Sequence, residues 1–175
     1  MRVVQICLLL FSSLTIVQAQ APSWDPDDSH KVEEAIEAFL EKDPGMQLFF
    51  DRAYGYAVFP SIGKGGFGIG GATGKGEVFE QGESIGTARM TQVSIGFQWG
   101  GQAYSEIIFF EDEDALESFK DNKVKFSAQA SVVAVDKGAS ADVAYEEGVA
   151  IFTLAKGGLM YEAAVGGQKF KFFED

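Results

Sequence analysis

Apolar and polar residues follow a helical rhythm early in the chain and a strand rhythm from Tyr54 onward. Val32, Ala35, Ile36, Phe39 and Leu40 recur at spacings of three and four, with Glu33, Glu34, Glu37 and Glu41 opposite, which predicts an amphipathic helix. Asp28 or Ser29 is placed to cap it by accepting from its free N–H groups. Asp43-Pro44 stops that helix and opens a second, with Asp43 as cap and Pro44 in the first helical position. Leu48, Phe49 and Ala53 are its expected buried residues.

A strand pattern then occurs twice. Tyr56-Ala57-Val58-Phe59-Pro60-Ser61-Ile62-Gly63-Lys64-Gly65-Gly66-Phe67 is echoed by Val149-Ala150-Ile151-Phe152-Thr153-Leu154-Ala155-Lys156-Gly157-Gly158-Leu159, with Gly63 extra in the first copy. Each copy reads as a strand, a break at Lys-Gly-Gly and a second strand. From Gly65 to Gly71 glycine takes nearly every other position, so one face of that strand has almost no side chains and something must approach its backbone closely. Thr91 to Trp99 alternates as a half-buried strand, Gly100-Gly101 reads as a two-residue turn, and Gln102 to Phe110 as the returning partner. Asp112 to Lys120 reads as a short helix with an acidic start, Leu116 and Phe119 facing the core. Phe126 to Ala134 alternates again, Asp136-Lys137-Gly138 is a turn, and Ala139–Tyr145, Val149–Leu154, Leu159–Val165 and Gln168–Phe173 complete the expected strands. The expected fold is α+β: predominantly antiparallel β, a barrel- or sandwich-like sheet with an internal pseudo-repeat, packed by two N-terminal helices and one short mid-chain helix.

Composition adds boundaries. Residues 1–19 read as a secretory signal, with Arg2, an apolar run from Val3 to Val17 and small residues before a cut near Ala19. That run is shorter than the roughly 20 residues needed to span a bilayer. Residues 20–27 read as a linker and 28–175 as a single domain; the expected location is secreted, in the periplasm. The one cysteine, Cys7, lies inside the signal, so the mature chain has no disulfide, thiol nucleophile or thiolate ligand. The formal charge is −12, concentrated at both ends: residues 20–51 carry −7, residues 52–110 are neutral, and residues 111–175 carry −6. Such a surface repels nucleic acid, which is not an expected partner.

Catalytic chemistry is sparse. Gly63 to Gly68 matches G-x-G-x-x-G, but a strand-like segment follows where a dinucleotide site needs a helix. His30 is the sole histidine, so no Ser-His-Asp or Cys-His set can form, and no zinc site. Asp25, Asp27 and Asp28, and Glu111 to Asp114, lack the spacing of a calcium loop and are read as helix caps. No cofactor and no metal are expected. Lys64 and Lys156 occupy equivalent places beside Gly65-Gly66 and Gly157-Gly158, an arrangement suited to a phosphate head group, although two solvated turn lysines are the simpler and favoured explanation. Phe172 and Phe173 cannot both face one core; an exposed ring beside Lys169 and Lys171 suits a membrane interface.

The Phe59-Pro60-Ser61-Ile62 and Lys64-Gly65-Gly66-Phe67-Gly68 stretch resembles the SYLF domain family. Val93 to Gln102 followed by Glu106 to Phe110, and Gly157 to Glu162 with Gly166 to Phe170, extend that resemblance over about residues 30–173 and match the secreted bacterial form. It implies a non-enzymatic, lipid-associated module. Phosphoinositide and actin binding in the family go with a basic amphipathic N-terminal segment, whereas the helix here is acidic, so actin is not the expected partner. The expected function is lipid or membrane-surface binding in the periplasm or cell envelope, with Lys64, Gly65, Gly66, Lys156, Gly157, Gly158 and Phe173 as candidate contacts. The alternative is a protein-interaction or structural envelope module that uses the acidic helix. A carboxylate-based enzyme would need a pocket holding two acids of raised pKa.

Overall fold

A capping box starts the first helix, α1 (Pro26–Lys42), in the computed structural model, which describes residues 25–67, 69–95, 102–121, 132–156 and 167–175. The Asp25 carboxylate accepts from the Asp27 N–H at 3.0 Å, and that of Asp28 accepts from the Asp25 N–H at 3.4 Å. The helix is therefore capped by Asp25, three residues before the earlier of the two expected caps, because Pro26 suits the first helical position, where an N–H has no partner anyway. The candidate signal 1–19 and most of the candidate linker lie outside the described residues.

Val32, Ala35 and Phe39 are buried and the four glutamates opposite are exposed, as the periodicity requires. Asp43 then caps a 3-10 turn (Pro44–Met46) that leads into α2 (Gln47–Arg52). Phe49 and Met46 are buried, but Leu48 is 49% exposed, against expectation. Asp43 has a second task that local sequence cannot show: its Oδ2 accepts from the Ser140 N–H at 2.8 Å. That bond pins a 3-10 turn over Ala139–Asp142, where alternation had suggested a strand. Burial alone would raise the Asp43 carboxyl; backbone donors from Ser140, Gly45 and Gly138 more than offset it and hold the pKa below the usual value.

Among the described residues seven strands form one sheet: β1 (Gly55–Phe67), β2 (Ile69–Glu80), β3 (Glu83–Ile95), β4 (Gln102–Phe110), β5 (Val132–Ala134), β6 (Val149–Lys156) and β7 (Gln168–Glu174). Their order is β5-β6-β4-β1-β2-β3-β7, antiparallel except for β5 beside β6, and the sheet is not closed. The expected α+β class holds, with two N-terminal helices and a mid-chain helix, α3 (Glu113–Lys120). Asp112 caps α3, and Leu116 and Phe119 are buried.

Several pairings differ from the sequence reading. Strands β3 and β4 do not form a hairpin; β4 inserts between β1 and β6. Lys64-Gly65-Gly66 is not a break, since β1 runs on to Phe67. Pro60 is accommodated by a register shift between Phe59 and Ile62, and its carbonyl accepts from Ser105 Oγ at 2.8 Å. The two echoed segments become β1 and β6, parallel strands flanking β4, but they are offset: Phe59 is level with Thr153, and Phe152 with Val58. A one-residue offset reverses the face, so Phe59 and Phe152 enter different cores. The second strand expected of the later copy, Leu159–Val165, lies outside the described residues, and β7 pairs with β3.

The sheet is strongly curled. Four interstrand steps separate β4 from β7, which would be about 19 Å in a flat sheet. Yet Gln168 of β7 donates to Glu106 of β4 at 2.9 Å, and the rings of Phe59 and Phe170 lie 5.6 Å apart. The concave side holds Phe59, Ile62, Met90, Ile108 and Phe170 around Leu116 and Phe119 of α3. The convex side is covered by α1 and α2, with Phe39, Met46 and Phe49 over Val58, Ile107, Phe109 and Phe152. Glycine on β2 permits the curl: a Cβ on Gly76 would lie 2.7 Å from the Phe59 ring and 2.6 Å from the Val58 carbonyl, and one on Gly74 2.7 Å from Ile62.

Gly76→Ala is therefore expected to destabilise the fold by about 1–3 kcal/mol through overpacking. Gly63→Ala, where a Cβ meets nothing within 4 Å, should be neutral or slightly stabilising. Urea unfolding of the two variants checks this; equal effects would contradict the packing account.

Candidate functional site

Alternation along β7 sends Gln168, Phe170 and Phe172 to the concave side and Lys169, Lys171 and Phe173 to the convex side. The ladders then put the convex residues in register with cations on neighbouring strands. Lys75 of β2, Arg89 of β3 and Lys171 of β7 are successive cross-strand partners. The next row is Thr73, Thr91 and Lys169, and the row on the other side is Glu77, Thr87 and Phe173. Arg89, Thr91, Lys169 and Lys171 are exposed, as is Val93 at 74%. Helix α1 lies over β1 and reaches only the near side of this patch, where Lys75 Nζ stands 4.0 Å from Asp28. Among the described residues no carboxylate pairs with Arg89, Lys169 or Lys171, although the chain has 26 acids against 14 bases. The Lys171 ammonium lies 5.1 Å from the centre of the half-buried Phe173 ring.

The residues singled out from sequence are distributed differently. Gly63, Ala103 and Lys156 form one row and Lys64 pairs with Gln102, so Lys64 and Lys156 reach the same end of the sheet on either side of β4. Lys156 is exposed. The backbones of Gly65 and Gly66 pair with Gly71 and Gly70 rather than forming an open turn. Gly157 and Gly158 lie outside the described residues. Phe173 does share a face with Lys169 and Lys171, while Phe172 packs on the concave core.

The concave side contains a polar cluster that the sequence reading missed. Glu106 is fully buried and level with Thr153 on β6. Gln168 donates to its Oε2 and also bonds the buried Tyr104 phenol. Burial pushes the Glu106 carboxyl up to about 7, opposed in part by the Gln168 hydrogen bond, which favours the charged form. Burial, then the neighbouring Glu106, raises the Tyr104 phenol as well. The signal in the chain was a lone acid inside the run Tyr104–Phe110.

Other acids have plain structural roles. Asp25 and Asp28 cap α1, and Asp112 caps α3. Glu111, Asp112, Asp114 and Glu147 line a shallow open depression beside Ser118 and Gly148. Among the described residues no group of three or more His, Cys, Asp or Glu side chains is arranged to hold a metal ion, and no helix is long and apolar enough to cross a membrane.

Residues 91–174, from the end of β3 through β7, match the family model Ysc84, described as Las17-binding protein actin regulator. The chain carries a SYLF domain. It is also 27% identical over 150 residues to Beta cell expansion factor A of Aeromonas veronii, an alignment that covers 81% of this chain and 54% of that protein. The chain thus spans about half the length of this curated relative. The matched stretch includes two of the four cations of the convex patch, Lys169 and Lys171 of β7, together with Glu106 and Gln168; Lys75 and Arg89 precede it.

The raised Glu106 pKa makes a signed prediction. An acid whose pKa is higher folded than unfolded contributes fully below the unfolded value, about 4.5, and the contribution is lost as pH rises through the folded value, about 7. Stability of the SYLF domain should fall across that window by on the order of 3 kcal/mol from this group. In Glu106→Gln the component should vanish. Denaturant midpoints measured from about pH 4.5 to 8 check this, and parallel profiles for the two proteins would contradict it.

Proposed function

We propose that this SYLF domain is a non-catalytic module that binds an anionic membrane surface through the convex face of β2, β3 and β7. The observation that carries this reading is the row Lys75–Arg89–Lys171 with Lys169 beside it, in a chain of charge −12. Lysines on an edge strand also discourage unwanted pairing, but Arg89 and Lys75 lie on interior strands, where that purpose does not apply. A cation near an anionic bilayer gains about 1 kcal/mol, so the four supply about 4 kcal/mol, reduced by the proximity of Asp28 to Lys75. The acids elsewhere oppose this weakly, because charges beyond about 8–10 Å are screened at physiological salt. Phe173 and Val93 add apolar surface at the same face.

The apolar run before Ala19 supports export, and the periplasm or cell envelope is the proposed location. The buried Glu106 carboxyl, with no second acid beside it among the described residues, supports a binding role over acid–base catalysis. The exposed glutamates of α1 favour an envelope protein partner on a different face, with α1 itself held on the sheet by Val32 and Phe39.

Flotation with phosphatidylglycerol-containing vesicles at low salt tests the reading. The wild-type chain should co-float, less so at high salt, and Arg89→Glu with Lys171→Glu should weaken binding at least tenfold. Charge reversal at Lys64 and Lys156 should have a smaller effect. Absence of flotation, or flotation indifferent to Arg89 and Lys171, would contradict the proposal.

A further inference from the structure

Strand β7 joins the two polar features of the molecule. Its convex side carries Lys169, Lys171 and Phe173, and its concave side carries Gln168, the residue bonded to Glu106. Among the described residues β7 pairs with β3 alone, so it is held from inside by few contacts: the Gln168–Glu106 bond and the packing of Phe170 and Phe172 near Phe59, Phe119 and Lys120. Short edge strands of this kind are the first elements to open locally.

Two acceptor oxygens of the cluster, Glu106 Oε1 and Gln168 Oε1, are buried without a hydrogen-bond partner among the described residues, as is the Thr153 hydroxyl, which can donate or accept. An ionised carboxylate only accepts, whereas a protonated one also donates, so a proton on Glu106 supplies a donor beside these buried oxygens. Among the described residues the groups on the Glu106 side of the sheet around it are Tyr104 of β4, Thr153 of β6, Gln92 of β3, Gln168 of β7, and the apolar Phe59 and Ile62 of β1; of these Tyr104 is the other titratable group, and none is a Lys or Arg. The exposed Lys156 lies further along β6 and does not contribute to the Glu106 shift. Among the described residues an ionised Glu106 thus accepts from Gln168 and has no counter-charge beside it.

We propose that Glu106 is a proton-operated latch on β7: neutral, it lets the interior close and the edge strand dock; ionised, it is hydrated by loosening that strand. The positive face then assembles when Glu106 is neutral and comes apart when it ionises, because two of its four cations and Phe173 ride on β7. This consequence rests on the membrane reading above; the latch itself does not. An anionic bilayer reinforces it. A surface potential of about −30 mV concentrates protons by about half a pH unit, so the surface that attracts the cations also favours the closed latch.

Hydrogen exchange without lipid, corrected for intrinsic rates, tests the latch. Between about pH 5.5 and 8 the protection of Lys169–Phe173 amides should fall at least tenfold relative to Ala57–Phe59 of β1. In Glu106→Gln it should stay high at both pH values. Constant protection of β7 in the wild type, or an equal fall in the variant, would overturn the proposal. If the variant does not fold, a carbon-13 titration of the wild-type Glu106 carboxyl replaces it: a midpoint shared with the β7 amides supports the latch, and separate midpoints overturn it. Failed flotation with pH-dependent β7 exchange removes the membrane reading and leaves the latch; flotation with pH-independent exchange does the reverse.

Discussion

Curling of the sheet is the constraint on which the rest depends. The side chains of β1 lie over a strip of β2 backbone that has no Cβ at Gly74 and Gly76, and this lets Phe59 and Ile62 sink toward the sheet while β3 and β7 swing round. The result is a concave core small enough for α3 to fill with Leu116 and Phe119. Without the curl, Gln168 could not reach Glu106 and the edge strand would have no interior partner. The convex surface behaves differently, because a curved sheet cannot be covered everywhere by two short helices. Helices α1 and α2 cover the β1, β4 and β6 side, and among the described residues no helix covers the convex face of β3 and β7.

Charge is segregated along the same division. The acids of α1 lie outward on the covered half, and those around Glu111 to Asp114 sit at the α3 entrance. The cations of β2, β3 and β7 gather on the bare half. A net charge of −12 therefore describes the solubility of the SYLF domain better than its local potential, which at this face is positive over the distance that matters for contact.

Local features were legible in the sequence and long-range pairings were not. The periodicity of α1, the Asp43 cap, the Asp112 cap and the opposite orientations of Phe172 and Phe173 depend on neighbours in the chain, and they emerged as read. The β3–β4 hairpin failed because a Gly-Gly pair looks the same whether its flanking strands pair with each other or with others; β4 gains more apolar contact between β1 and β6. The Ala139–Asp142 turn was hidden because the group that fixes it, Asp43, lies 97 residues away. The family resemblance was carried by the glycine-rich stretches, whereas the row of cations has no local signal in the chain. Lys75, Arg89 and Lys171 belong to three strands, so their row exists only once register is known.

Aromatic proton contacts test the curl most directly. Across three interstrand steps a flat sheet would hold β1 and β7 roughly 14 Å apart. The structure puts the Phe59 and Phe170 rings 5.6 Å apart, with Phe119 5.0 Å from Phe170. Nuclear Overhauser spectra of the folded protein should show cross-peaks between Phe59 and Phe170 and between Phe170 and Phe119. Absence of the first in a protein that retains the β1–β2 and β3–β7 ladders would contradict the account.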